Sequence, residues 1–323
     1  MSRRAPLAPH LGLPSAIVVV FASVAAFSPT VHGAADVADD LQKIASNGQV
    51  MVAVGNDVLS RSTDSGKTWE AQKLEERAAL IDVAACADES FVALDFHRHV
   101  WTGDAQGSGW RLAEGSMPED FTPMALACAP DGGFWVVGTY STVLHSSDRG
   151  ASWQKTEFGE DAILTTIRFL DADHAVLAGE FGIVARSSDG GASWQMLPPV
   201  PDDFYAFDAW FTDTDTGWLT GRGGIILGTR DGGHSWTSEP NAAGVPMYGF
   251  LSGGHGHLFA VGELGLVQQR GSDGTWRVLP SPTSGSGYLR GGIAVPERSS
   301  LIVVGGSGAS TPAMVSIEPQ GVQ

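Results

Sequence analysis

Apolar residues recur along this chain with a period of two, in short runs separated by turn-forming residues. Residues 163–197 show the pattern in full. Ile163, Thr165, Ile167 and Phe169 alternate with mostly polar neighbours, and Ala175-Val176-Leu177-Ala178-Gly179 is continuously apolar. Ile183-Val184-Ala185-Arg186 and Ser193-Trp194-Gln195-Met196-Leu197 follow as a third and a fourth run. Asp171-Ala172-Asp173, Phe181-Gly182 and Asp189-Gly190-Gly191 separate them. Period two with such breaks predicts four short antiparallel strands rather than helices. The stretch from Glu70 to Leu80 conflicts locally, because Glu75, Glu76, Arg77, Ala78 and Ala79 favour helix by propensity. The repeat phase places an outer strand and a loop there, with room for one helical turn.

The four-strand unit repeats through the chain. Its clearest marker is the box Ser/Thr-x-Asp-x-Gly-x-Ser/Thr-Trp, with Asp64 and Trp69, Asp148 and Trp153, Asp189 and Trp194, and Asp231 and Trp236. Two copies are degenerate, around Asp104 and Trp110 and around Asp273 and Trp276. The six tryptophans are 41, 43, 41, 42 and 40 residues apart. A second marker, an apolar run ending in glycine, falls at Gly55, Gly138, Gly179, Gly221, Gly262 and Gly305, with Asp95 in the remaining slot. Seven units of about 41 residues, each of four short strands, predict an all-β, seven-bladed propeller over residues 41–319. The seventh unit supplies three strands, so its fourth comes from around Ala35–Leu41 or is missing. Residues 320–323 form a short tail.

Residues 1–33 are set apart from the propeller. Arg3 and Arg4 precede an uncharged apolar stretch from Ala16 to Phe27, and Val31-His32-Gly33 leads into two alanines, as in a cleaved export signal. Residues 34–40 link it to the first unit. The chain is expected to be exported to the periplasm or an equivalent compartment, with no membrane insertion after cleavage. It carries 19 basic and 36 acidic residues, a net charge of −17, and loses two more arginines with the signal. Such a charge repels phosphate, which excludes a general nucleic-acid binder and disfavours anionic lipid.

The box residues read as structure. Aspartate and serine side chains accept hydrogen bonds from turn amides, and glycine supplies the positive φ the turn needs. The tryptophan is expected to fill the gap beside the next blade. A calcium or carbohydrate site at each aspartate is the competing reading, but six such sites would stand far apart on the rim. No metal or cofactor is expected. The pairs His97-Arg98-His99 and His255-Gly256-His257 place alternate residues on one side of a strand, yet neither has an evident third ligand. His97, Arg98 and His99 are better placed to contact a partner, in the unit that lacks the usual glycine. After each unit glycine the chain varies: Asn56, Phe96, Thr139, Glu180, Arg222, Glu263 and Gly306. In a propeller these turns ring one face near the channel, which makes Glu180, Arg222 and Glu263 candidate partner contacts. Cys86 and Cys128 occupy matching positions in adjacent units. An even cysteine count in an exported chain favours a disulfide. Matching positions on neighbouring blades can exceed the ~7 Å bridging limit, and the same slot takes phenylalanine elsewhere, so the balance tips slightly toward free thiols.

The full unit, from Gly179 through Gly182-Ile183 to the Asp189 box and Trp194, resembles the Asp-box repeat of the photosystem II stability and assembly factor family, which also has relatives in non-photosynthetic bacteria. The stretches from Gly221 to Trp236 and from Gly262 to Trp276 follow it closely. The resemblance implies an exported, non-catalytic seven-bladed propeller that assists a membrane protein complex; in photosynthetic members it helps to assemble reaction-centre subunits, in the thylakoid lumen of chloroplasts. Those members carry a surface patch of arginines, whereas Arg61, Arg186 and Arg222 are the sparse counterparts here. The alternative functions are a ligand- or partner-binding accessory of a transporter or cell-envelope system, and, more remotely, a sialidase-like glycosidase. A sialidase needs an arginine triad, an acid and a Tyr–Glu pair, and Tyr140, Tyr205, Tyr248 and Tyr288 have no glutamate partner evident in sequence.

Overall fold

The computed structural model describes residues 41–253, 256–280, 285, 287–295, 299–306 and 312–316. These belong to one compact unit, residues 38–323. Among the described residues there are seven antiparallel sheets. Six have four strands in sequence order and the last has three. The seven first strands are Leu41–Ser46, Leu80–Ala85, Pro123–Cys128, Leu164–Phe169, Ala206–Phe211, Met247–Ser252 and Tyr288–Val295. All seven line one central channel of about 670 Å³, so each sheet is a propeller blade with its first strand innermost. Of the segment around Ala35–Leu41 expected to close the last blade, residues 35–40 lie outside the described residues, as do the export signal and His255, while Leu41 opens the innermost strand of blade 1. The helical turn allowed between Glu70 and Leu80 is absent. Strand Glu70–Ala71 is followed by irregular chain, because pairing with the third strand and the turn into the next blade outweigh local propensity.

The core is the space between blades. Val52 and Val54 of blade 1 pack with Val83, Phe91, Ala93 and Trp101 of blade 2. The ring closes the same way, with Leu41, Ile44 and Ala53 of blade 1 against Val295, Ile302 and Val304 of blade 7. The central second strands are buried on both faces, which explains their continuous apolar runs.

The unit glycines end these second strands for a steric reason. A Cβ on Gly138, Gly179, Gly221 or Gly262 would come within 2.0–2.2 Å of the carbonyl oxygen of Thr122, Ile163, Tyr205 or Pro246, just ahead of or opening the innermost strand. Asp95 escapes this requirement and serves its turn differently. Its buried carboxylate accepts from the His97 and His99 amides at 2.8 and 3.0 Å and meets His99 Nδ1 at 3.0 Å.

The boxes close the turns between third and fourth strands. In the Asp189 box, the Ser187 and Ser193 hydroxyls donate to the carboxylate at 2.8 and 2.6 Å. The Ser193 amide donates to it as well, and the Gly191 amide donates to Ser187 Oγ. The Asp64, Asp148 and Asp231 boxes repeat this network. The box tryptophans correct the expectation in one respect: they pack on the preceding blade, not the next. Trp153 packs against the cluster that Val92, Leu94 and Val100 of blade 2 form with blade 3, and Trp194 meets Trp135 of blade 3. The box glycines at positive φ press against that same preceding blade, Gly191 on the Trp135 ring.

Cys86 and Cys128 form a disulfide, contrary to the balance struck from sequence. Both lie at the far ends of innermost strands. These converge on the channel, which brings the two Cα atoms to 5.3 Å, well within bridging distance.

Candidate functional site

Each innermost strand carries a β-bulge close to its outer end, one residue in for blades 1 to 6 and two for blade 7, seen as a register shift in all seven blades. A bulge leaves one residue unpaired and re-aims its side chain. The bulged residues are Gln42, Ile81, Met124, Thr165, Phe207, Tyr248 and Arg290. Together they form a waist that lines both the channel and a mouth of about 640 Å³ above it. Below the waist the channel is polar. Asp82 accepts from the Leu126 amide of the next blade at 2.8 Å, and Asp208 accepts from the Phe250 amide at 2.8 Å and faces Arg168 at 3.6 Å. Burial pushes the Asp82 carboxyl up, opposed by the charge of Lys43 and by the two backbone amides it accepts. These carboxylates stitch neighbouring blades together.

The mouth differs in character between its two sides. Tyr205, Phe207, Tyr248 and Tyr288, from blades 5 to 7, form an aromatic crescent with successive ring centroids 5.5, 5.3 and 6.2 Å apart. The Arg290 guanidinium lies 5.2 Å over the Tyr288 ring. Gln42, Ile81, Met124 and Thr165 make up the other side, with Phe96 at its edge. The Tyr248 hydroxyl donates to Glu263 Oε2. Burial and that carboxylate hold its phenol up at about 12. A Tyr–Glu contact therefore exists that the sequence did not reveal, because its members are 15 residues apart, on the first strand and on the turn after the second strand of one blade.

Around the mouth stand the turns between second and third strands. The residues predicted as partner contacts are all on this face, but their surroundings differ. Glu180 accepts from the Ile163 amide at 2.8 Å and Glu263 accepts from Tyr248, so both are tied to their own blades. Arg222 is exposed and has no side-chain partner among the described residues. His99 is held by Asp95, while His97 is exposed and Arg98 sits at φ 72°. Sequence reasoning missed the apolar residues of these turns. Phe96, Tyr140, Phe181 and Leu264 are 45–55% exposed on blades 2, 3, 4 and 6. Tyr140, Phe181 and Leu264 stand two residues after the unit glycine, at φ of 58°, 53° and 56°. Left-handed backbone costs a residue with a Cβ about 1 kcal/mol or more. Gly223 fills the same position in blade 5 at φ 76° without that cost. All four tyrosines of the chain belong to this face. The signal was present in the sequence as bulky residues at a slot where glycine fits best.

The arginines at family-like positions have other tasks. Arg61 pairs with Glu70 and donates to the Gln106 carbonyl of the next blade, and Arg186 donates to the Gly232 carbonyl. Both fasten neighbouring boxes on the side away from the mouth. No cluster of three or more metal-ligating side chains occurs among the described residues. Of the second histidine pair, His257 lies beside Gln269 Nε2 at 3.1 Å.

Residues 152–248 match the family of the photosynthesis system II assembly factor YCF48. The photosystem II assembly lipoprotein Ycf48 of Synechococcus sp. (strain CC9902) is 27% identical over 42% of this chain and 54% of its own length. The chain thus spans about half the length of that relative. Among solved structures, YCF48 bound to D1 peptide aligns with a TM-score of 0.70 and 12% identity, covering 87% of this chain and 94% of that one. A virginiamycin B lyase from Staphylococcus aureus aligns at 0.73 and 11%, covering 88% and 97%. At these identities the structural likeness establishes the fold. With the family match over its central blades, the chain is a seven-bladed propeller similar to photosystem II assembly factors.

Proposed function

We propose that this protein is an exported, non-catalytic propeller that holds a segment of a partner protein on the face around the channel mouth, and so assists assembly of a membrane protein complex. The observation that carries this reading is the set of bulky apolar side chains held in left-handed backbone around one opening, a strain that packing does not reward. The relatives support the class of partner, since one is described as a photosystem II assembly lipoprotein and one is bound to a D1 peptide. Export agrees with the disulfide, which persists in oxidising compartments. The test is capture of partner from detergent-solubilised membranes by the wild type and by a Phe96→Ala, Phe181→Gly, Leu264→Gly variant. Glycine suits both left-handed positions, so the variant should melt no lower than the wild type by more than a few degrees. It should lose the captured partner. Equal capture by both proteins would overturn the reading.

The Tyr248–Glu263 contact favours one second reading, hydrolysis of a sialoside. Against it, Arg290 is the one arginine lining the mouth among the described residues, and the phenol is held in its neutral form. Turnover of a fluorogenic sialoside that disappears in Tyr248→Phe would establish it.

A further inference from the structure

We infer that the mouth reads a specific piece of its partner: an aromatic or large apolar side chain with a carboxylate next to it. This rests on the proposed function and adds the chemistry of what is held. The crescent of Tyr205, Phe207, Tyr248 and Tyr288 offers ring faces and edges to a flat apolar group, in a cavity of about 640 Å³ that is large enough for one or two side chains.

Arg290 supplies the second half. It is exposed at the waist, and no carboxylate pairs with it among the described residues. Seven lysines and arginines of the described residues do enter ion pairs, Arg61, Arg77, Arg149, Lys155, Arg168, Arg270 and Arg277, and none of these seven lines the mouth. In a chain of net charge −17, Arg290 is the one arginine lining the mouth among the described residues. Glu263 makes no ion pair with it, and accepts instead from the Tyr248 hydroxyl. The Tyr288 ring under the guanidinium restricts where it points and leaves its donors for an incoming group. A planar guanidinium takes a carboxylate through two parallel hydrogen bonds. The site therefore selects against basic segments, which the net charge of the whole protein would otherwise attract.

The carboxylate has two sources, an aspartate or glutamate side chain or the end of a chain. Three fluorescein-labelled heptapeptides separate them in a polarisation titration against the mature protein. All contain one phenylalanine. The first has an adjacent aspartate and an amidated end, the second an adjacent asparagine and an amidated end, and the third no acidic side chain and a free C-terminal carboxylate next to the phenylalanine. The first or the third should bind about tenfold or more tighter than the second. Arg290→Gln should abolish that preference, and Arg290→Lys should restore part of it. Because Arg290 is exposed, both variants should keep the wild-type circular dichroism. Equal binding of all three peptides, binding of none, or a preference that survives Arg290→Gln would overturn the inference. The Phe96, Phe181, Leu264 variant separates the two claims. Loss of partner capture there, with no peptide preference in the wild type, would leave the proposed function standing and remove the mouth's assigned chemistry.

Discussion

Replacing Cys86 and Cys128 together by serine should weaken the propeller by an amount set mainly by the loop the bridge closes. The two cysteines are 42 residues apart, one complete blade repeat. The chain-entropy relation assigns a loop of that length about 4 kcal/mol at 25 °C. Unfolding entropy scales with chain length, and a propeller of roughly 280 residues has a melting entropy of about 0.6 kcal/mol/K. The expected fall in melting temperature is therefore about 7 °C. The sign is safe because the bridge joins strands that the fold already brings together at the channel. Asp82 links the same two blades through the Leu126 amide, so the native state needs no rearrangement to accept the bridge. Calorimetry of three samples measures the effect: oxidised wild type, reduced wild type, and the double serine variant. The reduced and serine samples should melt together, well below the oxidised one. A reduced protein that melts with the oxidised one would refute the reasoning. It would mean that the bridge constrains nothing in the unfolded chain.

Two further outcomes follow from the boxes and the unit glycines. The Asp64 carboxyl is drawn down to about 2 chiefly by the Thr68 amide, and Asp148 to about 2 chiefly by the Ser152 hydroxyl. A carboxylate with a depressed folded pKa stabilises the fold above its unfolded value, near 4, and that contribution disappears as pH falls toward 2. Melting temperature should thus drop between pH 4 and pH 2, and Asp64→Asn with Asp148→Asn should flatten that slope; an unchanged slope would exclude the boxes as its source. Gly179→Ala places a methyl group 2.2 Å from the Ile163 carbonyl oxygen, a backbone atom that cannot rotate away. It should cost about 1–3 kcal/mol in urea unfolding, and an unshifted midpoint would show that the blade opens there without penalty.

The number of blades, their strand order and the role of the boxes were legible in the chain because each depends on local chemistry. Period-two alternation sets which side of a strand is buried. The spacing of Trp69 through Trp276 counts the units, and the Ser/Thr-Asp-Gly grouping closes a turn by itself. Even Asp95, the one departure from glycine, marked a turn that the structure shows to be built differently. What escaped were contacts between units. The direction in which Trp153 and Trp194 pack and the meeting of Cys86 with Cys128 depend on how far adjacent blades converge and rotate. No single repeat encodes that. The waist of Gln42, Ile81, Met124, Thr165, Phe207, Tyr248 and Arg290 has no compositional signature at all. Its members share only a bulge, imposed where an innermost strand curves at the channel. Seven unrelated side chains became one site through the closure of the ring.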